Sequence, residues 1–228
     1  PCRTDGCLIM RTLVIIPAYN AGKHLPQLLP EILRNADRKD ITVIDDGSSD
    51  NTAVIAERAG VIVLRNKRNL GKGAALKRGF AHAILNCYDA VITLDADGQH
   101  PPELIPRLID KARHGSYDII IASRRRQFDK MRWERALSNR MTTTVVSLLA
   151  GARIEDSQCG YRFLLTGVLR CLSLSSGGFQ TESELLIQAG RIGARIGHID
   201  CEVRSGPTSH ISHGADTARF IAMCLRYL

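Results

Sequence analysis

Nowhere does this sequence stay apolar for long enough to cross a bilayer, and its first residues lack the basic, apolar and small-residue succession of a secretory signal. Cytoplasmic residence is therefore the expectation. Aromatic residues are scarce, at 5% with one tryptophan, which leaves few rings to stack on bases and argues against a nucleic-acid partner. The seven cysteines, at positions 2, 7, 87, 159, 171, 201 and 224, are odd in number and contain no Cys-x-x-Cys pair. That pattern speaks against zinc ligands and a disulfide framework, and reduced thiols, mostly in the core, are expected. Internal repeats, low-complexity tracts and long linkers are also missing. One main domain is expected over 11–214, with a disordered leader over 1–10, where Pro1 to Cys7 resemble no element, and an amphipathic helix over 215–228.

What is present is charge and alternation. The 228 residues carry a formal net charge of +8, with a pI near 9.4, which implies an anionic partner: nucleic acid, a membrane surface or a phosphorylated substrate. Basic residues cluster at Arg65, Lys67, Arg68, Lys72, Lys77 and Arg78, and again at Arg124, Arg125, Arg126, Lys130, Arg132, Arg135 and Arg140. Short apolar β runs at 12–17, 41–45, 61–64, 90–95 and 118–123 alternate with helical patterns at 22–36, 51–59, 72–86 and 101–114, with Gly60 and Gly115 as helix stops. Such alternation is the signature of an α/β fold, a mainly parallel sheet with helices on both faces. Past Arg124 the expected elements are a helix over 132–150, a strand over 160–165, a helix over 181–192, a strand over 195–204 and a final helix over 215–228.

The densest chemistry follows the fourth run, where Val91-Ile92-Thr93-Leu94 gives way to Asp95-Ala96-Asp97-Gly98-Gln99. Ligands of parallel sheets gather beyond the carboxyl ends of the strands, so both carboxylates fall on the ligand edge. Adjacent carboxylates repel, and Mg²⁺ or Mn²⁺ shared with phosphate oxygens would relieve that repulsion. A solvated Asp-rich turn ahead of Pro101 and Pro102 would show the same letters. The same edge receives Pro17-Ala18-Tyr19-Asn20 and Asp45-Asp46-Gly47-Ser48, which suit ribose hydroxyls and a base ring. Asp50 is read as a cap for the helix beginning at 51. Gly71-Lys72-Gly73 resembles a phosphate-cradling turn at a helix start without P-loop spacing, and Lys72 is equally compatible with solvent.

Taken in order, Pro17-Ala18-Tyr19-Asn20, Asp45-Asp46-Gly47-Ser48, Gly71-Lys72-Gly73-Ala74 and Asp95-Ala96-Asp97-Gly98-Gln99-His100-Pro101 resemble the family 2 glycosyltransferases of GT-A fold. With Ala122-Ser123-Arg124 and Asp156-Ser157-Gln158-Cys159-Gly160-Tyr161-Arg162, the chain from about Leu13 to His210 is similar to the dolichol- or polyprenyl-phosphate mannosyl and glucosyl synthases. The resemblance implies a nucleotide sugar held by Pro17, Tyr19, Ile44, Asp46, Asp95, Ala96 and Asp97, and Mg²⁺ or Mn²⁺ held by Asp95, Asp97 and Gln99. It also implies that Arg124, Arg204 and His210 face phosphates. Two positions depart from the family pattern. Ala21 stands where Glu is frequent, and Ser209-His210 where a Ser-Lys pair is common, which would make phosphate binding there depend on pH. The membrane helices that many relatives append are not found in these residues.

The implied reaction is inverting, metal-dependent transfer of a hexose from a GDP-mannose or UDP-glucose type of donor to a polyprenyl or dolichyl phosphate. A lipid phosphate arrives anionic, so Arg124 and Arg204 would align it without a strong base. A saccharide or small hydroxyl acceptor would need a carboxylate to take its proton, and Glu182 is the candidate. Glu182 and Glu184 are equally read as first-turn acids favoured by a helix dipole. Outside this class stand a basic nucleotide- or nucleic-acid-binding module and a nucleotidyltransferase. The segment from Arg124 to Gly151 mixes basic residues with Met131, Trp133, Leu137, Met141, Val145, Val146, Leu148 and Leu149. It suits either a helix at an anionic bilayer surface or a basic face over an ordinary core stripe. Phe220, Ile221, Cys224, Leu225 and Leu228 share one side of the final helix, expected to dock on the domain, with a homodimer seam as the alternative.

Overall fold

The computed structural model describes residues 10–130, 133–204 and 213–228. Seven strands, β1 (Thr12–Ala18), β2 (Ile41–Asp45), β3 (Ile62–Arg65), β4 (Ala90–Thr93), β5 (Ile119–Ser123), β6 (Arg162–Leu165) and β7 (Ile196–Asp200), form one sheet in the order β3-β2-β1-β4-β6-β5-β7. All neighbours are parallel except β6, which runs antiparallel to both β4 and β5. The helices are α1 (Leu25–Ile32), α2 (Thr52–Arg58), α3 (Lys72–Leu85), α4 (Leu104–Gly115), α5 (Trp133–Ala150), α6 (Thr166–Arg170), α7 (Gln180–Arg191) and α8 (His213–Leu225).

The runs Leu13–Ile16, Ile41–Ile44, Val91–Ile92 and Ile119–Ile121 are buried, as a sheet covered on both faces requires. From β1 the chain steps outward to β2 and β3 through α1 and α2, then returns through α3 to β4 on the other side of β1. Right-handed crossovers travelling in opposite directions place α3 on the face opposite α1 and α2. The reversal opens a crevice at the carboxyl ends of β1 and β4. There the chain beyond Ala18 and beyond Thr93 leaves the sheet.

Several boundaries differ from the sequence reading for identifiable reasons. Strand β4 ends two residues before Asp95: the Leu94 N–H still reaches the Ile15 carbonyl at 3.0 Å, and the acidic residues then form a loop. Strand β7 stops at Asp200 and not at 204, because after the Cys201 N–H bonds Ser123 the chain swings away, and the Arg204 N–H bonds the Gln99 carbonyl at 2.9 Å. Helix α1 is shorter than 22–36; Pro26 opens it and Pro30, inside it, has no N–H to donate. Helix α4 is stopped by Ser116 at φ 51°, while Gly115 makes room for the Tyr117 ring, 2.5 Å from where a Cβ would stand. Helix α6 and the 3₁₀ turn over Arg125–Lys130 are too short to leave a periodic signal.

Most of the described thiols lie in the core, as expected, and Cys2 and Cys7 lie outside the described residues. Cys159, Cys201 and Cys224 are buried while Cys87 and Cys171 are exposed, and all five are free. Helix α8 docks on the domain, but not by the whole face expected: Met223 and Cys224 enter the core with Phe220 packed against it, Ile221, Leu225 and Leu228 are exposed, and the Tyr227 hydroxyl donates to Glu184 at 3.1 Å. Among the described residues no helix is long and apolar enough to cross a membrane.

Arg162, at the start of β6, is one of the largest fully buried side chains. It donates to the carbonyls of Cys159, Ser157 and Glu182, each at 2.8 Å, and so ties the chain before β6 to the first turn of α7. Arg162→Met keeps the bulk and strands three acceptors, so urea unfolding should show a loss of at least about 3 kcal/mol with an unchanged slope.

Candidate active site

The loop after β4, the start of α3 and the first turn of α7 converge on one ion cluster. Lys72 Nζ lies 2.7 Å from Asp95 Oδ1 and 3.0 Å from Glu182 Oε2. Burial alone would pull the Lys72 ammonium down, but the charges of Asp95 and Glu182 reverse that and hold it above its usual range. Burial likewise opposes the Asp95 carboxylate, and Lys72, followed by His100, keeps it below the usual range. His100 Nε2 stands 3.9 Å from Asp95 Oδ2, and burial pushes this imidazole down. Sequence reasoning left Lys72 between phosphate and solvent; the structure gives it a third place, inside a carboxylate pair.

Gly160 forms the wall of this cluster. A Cβ there would lie 2.8 Å from Asp95 Oδ2 and 2.9 Å from both Glu182 Oε1 and Lys72 Nζ. The Gly160 carbonyl is fixed by the Thr93 hydroxyl at 2.6 Å, which sets the wall against β4. No role attaches to Gly160, Asp156, Arg162 or His100 in the sequence analysis. Their signal lay in the two motif runs that contain them, but spacing cannot show which members of a run touch.

The two loops after β1 and β2 are laced to each other. The N–H groups of Asn20, Ala21 and Gly22 bond Ser48 Oγ, Thr52 Oγ1 and Asp50 Oδ2 at 2.9, 2.8 and 2.9 Å. Asp50 also accepts from the Thr52 N–H at 3.0 Å, but the cap position of α2 belongs to Asn51, which makes no side-chain cap bond, so Asp50 supports the helix start from one residue further out. Asp46 accepts from Asn66 Nδ2 at 2.7 Å, from the Leu70 N–H and from the Gly71 N–H at 2.7 Å, and so shapes the turn that delivers Lys72. Pro17 lies opposite Ile44 in the β1–β2 ladder, the Ile44 side chain is buried, and Tyr19 projects exposed from the crevice. Ala96 is buried between Asp95 and the exposed Asp97.

The residues expected to face phosphates are arranged differently from one another. Arg124 is buried and clamped by Asp156, with Nε to Oδ2 at 2.8 Å and a terminal nitrogen to Oδ1 at 3.1 Å. Arg204, at the crevice mouth, is paired with Glu31 at 2.7 Å and Glu103 at 3.1 Å, so its guanidinium already holds two carboxylates. His210 lies outside the described residues. Cys159 and Cys201 sit beside this group, and burial raises both thiols, Cys201 to about 11, which makes them inert.

The donor set fits a hard divalent cation. Asp95 and Asp97 supply carboxylate oxygens one residue apart, Asp97 is exposed, and Gln99 follows with its N–H bonded to Asp97 Oδ1 at 3.0 Å. Among the described residues no group of three or more His, Cys, Asp or Glu side chains is gathered as a preformed metal cage. Mg²⁺ does not need one, since it takes one or two carboxylates and completes its shell with water and phosphate oxygens. Open clefts of about 600 and 560 Å³ lie elsewhere. The larger, near Asp89, Asp118 and Ala194, flanks the amino ends of β4, β5 and β7, away from the carboxylates.

Crowding at Gly160 can be measured against a neutral site. Gly160→Ala should cost about 1–3 kcal/mol through overpacking. Gly167→Ala in α6, where a Cβ meets nothing within 4 Å, should be neutral or stabilise by up to about 1 kcal/mol. Denaturant unfolding of the two variants compares them directly, and equal effects would refute the packing account.

Residues 13–172 match Glycosyl transferase family 2. The chain is 34% identical over 200 residues to the undecaprenyl-phosphate mannosyltransferase of Micrococcus luteus, covering 82% of this chain and 81% of that protein. It is 36% identical over 177 residues to the undecaprenyl-phosphate 4-deoxy-4-formamido-L-arabinose transferase of Proteus mirabilis, covering 72% of this chain and, at 52%, about half of that protein. Its fold is similar to that of glucosyl-3-phosphoglycerate synthase from Mycobacterium tuberculosis, solved with Mn²⁺, UDP and glucosyl-3-phosphoglycerate, with a TM-score of 0.74 at 21% identity over 96% of this chain and 80% of that one. The mostly parallel sheet is thus the GT-A sheet, and the chain belongs to the family 2 glycosyltransferases.

Proposed function

We propose that this glycosyltransferase moves a hexose, with inversion, from a nucleotide sugar to a polyprenyl phosphate at a membrane surface. The observation that carries the reading is the commitment of Glu182 to Lys72 at 3.0 Å. Glu182 thus has one oxygen engaged by the Lys72 ammonium, an arrangement that suits a nucleophile arriving already ionised better than one whose proton has to be taken. The names of the M. luteus and P. mirabilis relatives, both transferases to undecaprenyl phosphate, support the same acceptor class.

In this reading Pro17, Tyr19, Ile44 and Asp46 line the nucleotide side of the crevice, with Asp95, Ala96 and Asp97 beside the ribose and diphosphate. Asp95, Asp97 and Gln99 would hold Mg²⁺ or Mn²⁺. When bound, that ion supplies positive charge to the leaving diphosphate. Arg124, fixed by Asp156, and Arg204 at the mouth orient the anionic acceptor, and His210 is assigned to the same task. The phosphate oxygen forms the new bond to the anomeric carbon as the bond to the nucleoside diphosphate breaks, and no proton has to be removed.

The acceptor class is tested by Glu182→Gln at saturating divalent cation. Turnover with polyprenyl phosphate should fall less than about tenfold, while a hydroxyl acceptor that used this base would lose roughly 10²–10⁴-fold. Arg124→Ala should be severe with the lipid acceptor, and nucleotide affinity measured alongside separates lost alignment from lost fold. Inactivity of Glu182→Gln toward polyprenyl phosphate, with nucleotide binding intact, would overturn the base-free mechanism.

Membrane association rests on α5. Trp133, Met141 and Leu148 are 72%, 62% and 76% exposed, and Leu137 and Val145 continue the same stripe at helical spacing. Exposed Arg125, Arg126, Arg140 and Arg153 lie at or near its ends and along it. An outward apolar stripe with cations matches an interfacial helix better than a basic face over a core stripe. The purified chain should sediment with anionic vesicles, and Leu137→Ser with Met141→Ser, or Arg125→Ser with Arg126→Ser, should release it. Equal binding to neutral and anionic vesicles would count against the electrostatic part.

A further inference from the structure

We propose that Lys72 is a resident counter-cation that keeps a divalent ion off Asp95 until a nucleoside diphosphate arrives, an inference that rests on the metal-dependent transfer reading above. Lys72 Nζ occupies Asp95 Oδ1 at 2.7 Å, and the second oxygen, Oδ2, faces His100 at 3.9 Å. A divalent ion approaching Asp95 therefore meets a positive charge already seated, in a buried setting where like-charge repulsion is weakly screened.

Glu182 gives that ammonium a second seat. Its Oε2 lies 3.0 Å from Nζ, so Lys72 keeps one carboxylate when it yields the other. Gly160 closes the near side, where any Cβ would stand 2.9 Å from Nζ, and directs the ammonium along the Asp95–Glu182 line. In the free chain one ammonium serves the half-buried Asp95 and the buried Glu182, beside the exposed Asp97. A divalent ion alone would have to displace Lys72 from Asp95. A diphosphate brings the negative charge that lets both cations stay, one on the carboxylates and the other on Glu182 and a phosphate oxygen. Metal and nucleotide affinities are then coupled through Lys72, and the coupling is reciprocal.

The test is direct Mn²⁺ binding, read from the electron spin resonance of free Mn²⁺, for the full chain and for Lys72→Gln and Lys72→Met, each with and without GDP or UDP. The unaltered chain should bind Mn²⁺ at least about tenfold more tightly with one of the nucleotides. Both variants should bind Mn²⁺ without nucleotide at least about tenfold more tightly than the unaltered chain, with the nucleotide effect reduced. A purely structural lysine predicts the opposite sign, since its loss would loosen the carboxylates. Glutamine retains a hydrogen-bond donor for one carboxylate, so a folding failure of the methionine variant leaves the glutamine variant to decide. Nucleotide-free affinity equal to or weaker than that of the unaltered chain overturns the proposal while the metal reading stands. Absence of Mn²⁺ binding to the unaltered chain with either nucleotide removes the metal reading and this inference with it.

Discussion

One half-buried ammonium joins the parts of the chain that make the crevice. Lys72 begins α3, Asp95 follows β4 and Glu182 lies in the first turn of α7, so a single cation fixes three elements far apart in sequence. Buried ion pairs add little net stability, because desolvation offsets much of the attraction, but removal of one partner leaves a charge without compensation. The cluster therefore acts on geometry more than on total stability. Lys72 holds the loop after β4 and the start of α7 together, and at position 160 a Cβ would press on all three members of the cluster.

The same economy runs along the carboxyl edge of the sheet. Asp45 is met by Arg65 at 3.1 Å, Asp46 by three N–H groups, Asp156 by Arg124, and Glu184 by Ser175 and the Ser176 N–H. These acids are thus met from within, Asp45 and Asp156 by arginines and Asp46 and Glu184 by neutral donors. Asp97, bonded to the Gln99 N–H, stays exposed beside the crevice. Such a distribution lets a basic chain hold acids at its centre without repelling an anionic ligand from its rim.

The sequence carried the first half of the fold almost completely, because buried β-branched runs and amphipathic helices each leave a periodic trace. Strands β1, β2, β3, β4 and β5 fall within two residues of where alternation places them. The second half was legible in element type but not in arrangement. Nothing in Arg162–Leu165 shows that the strand inserts antiparallel between β4 and β5, since direction is decided by the connection and not by the run. Side-chain pairing was the least legible. Arg124 and Arg204 read as free cations, yet Asp156, Glu31 and Glu103 reach them from segments that share no periodicity with them. Motifs brought out the segments that meet at the candidate site, and only packing could identify their internal partners.

That packing also links the outer face of α5 to the crevice by short steps. Val146 and Ala150 bury the inner side of α5, and Thr143 on the same helix accepts the Ser157 N–H at 3.1 Å. Ser157 adjoins Asp156, whose carboxylate clamps Arg124. On the reading proposed above, a bilayer pressed against Met141 and Val145 is separated from the arginine that would orient a lipid phosphate by the thickness of α5, about 10 Å, and by Ser157 and Asp156. A polyprenyl phosphate has its charge at one end of a long apolar chain. A site that puts an apolar helix face and a fixed arginine that close together can take the headgroup while the tail stays in lipid. A small hydroxyl acceptor would have no use for the exposed stripe, which is why the acceptor question and the membrane question have one structural basis.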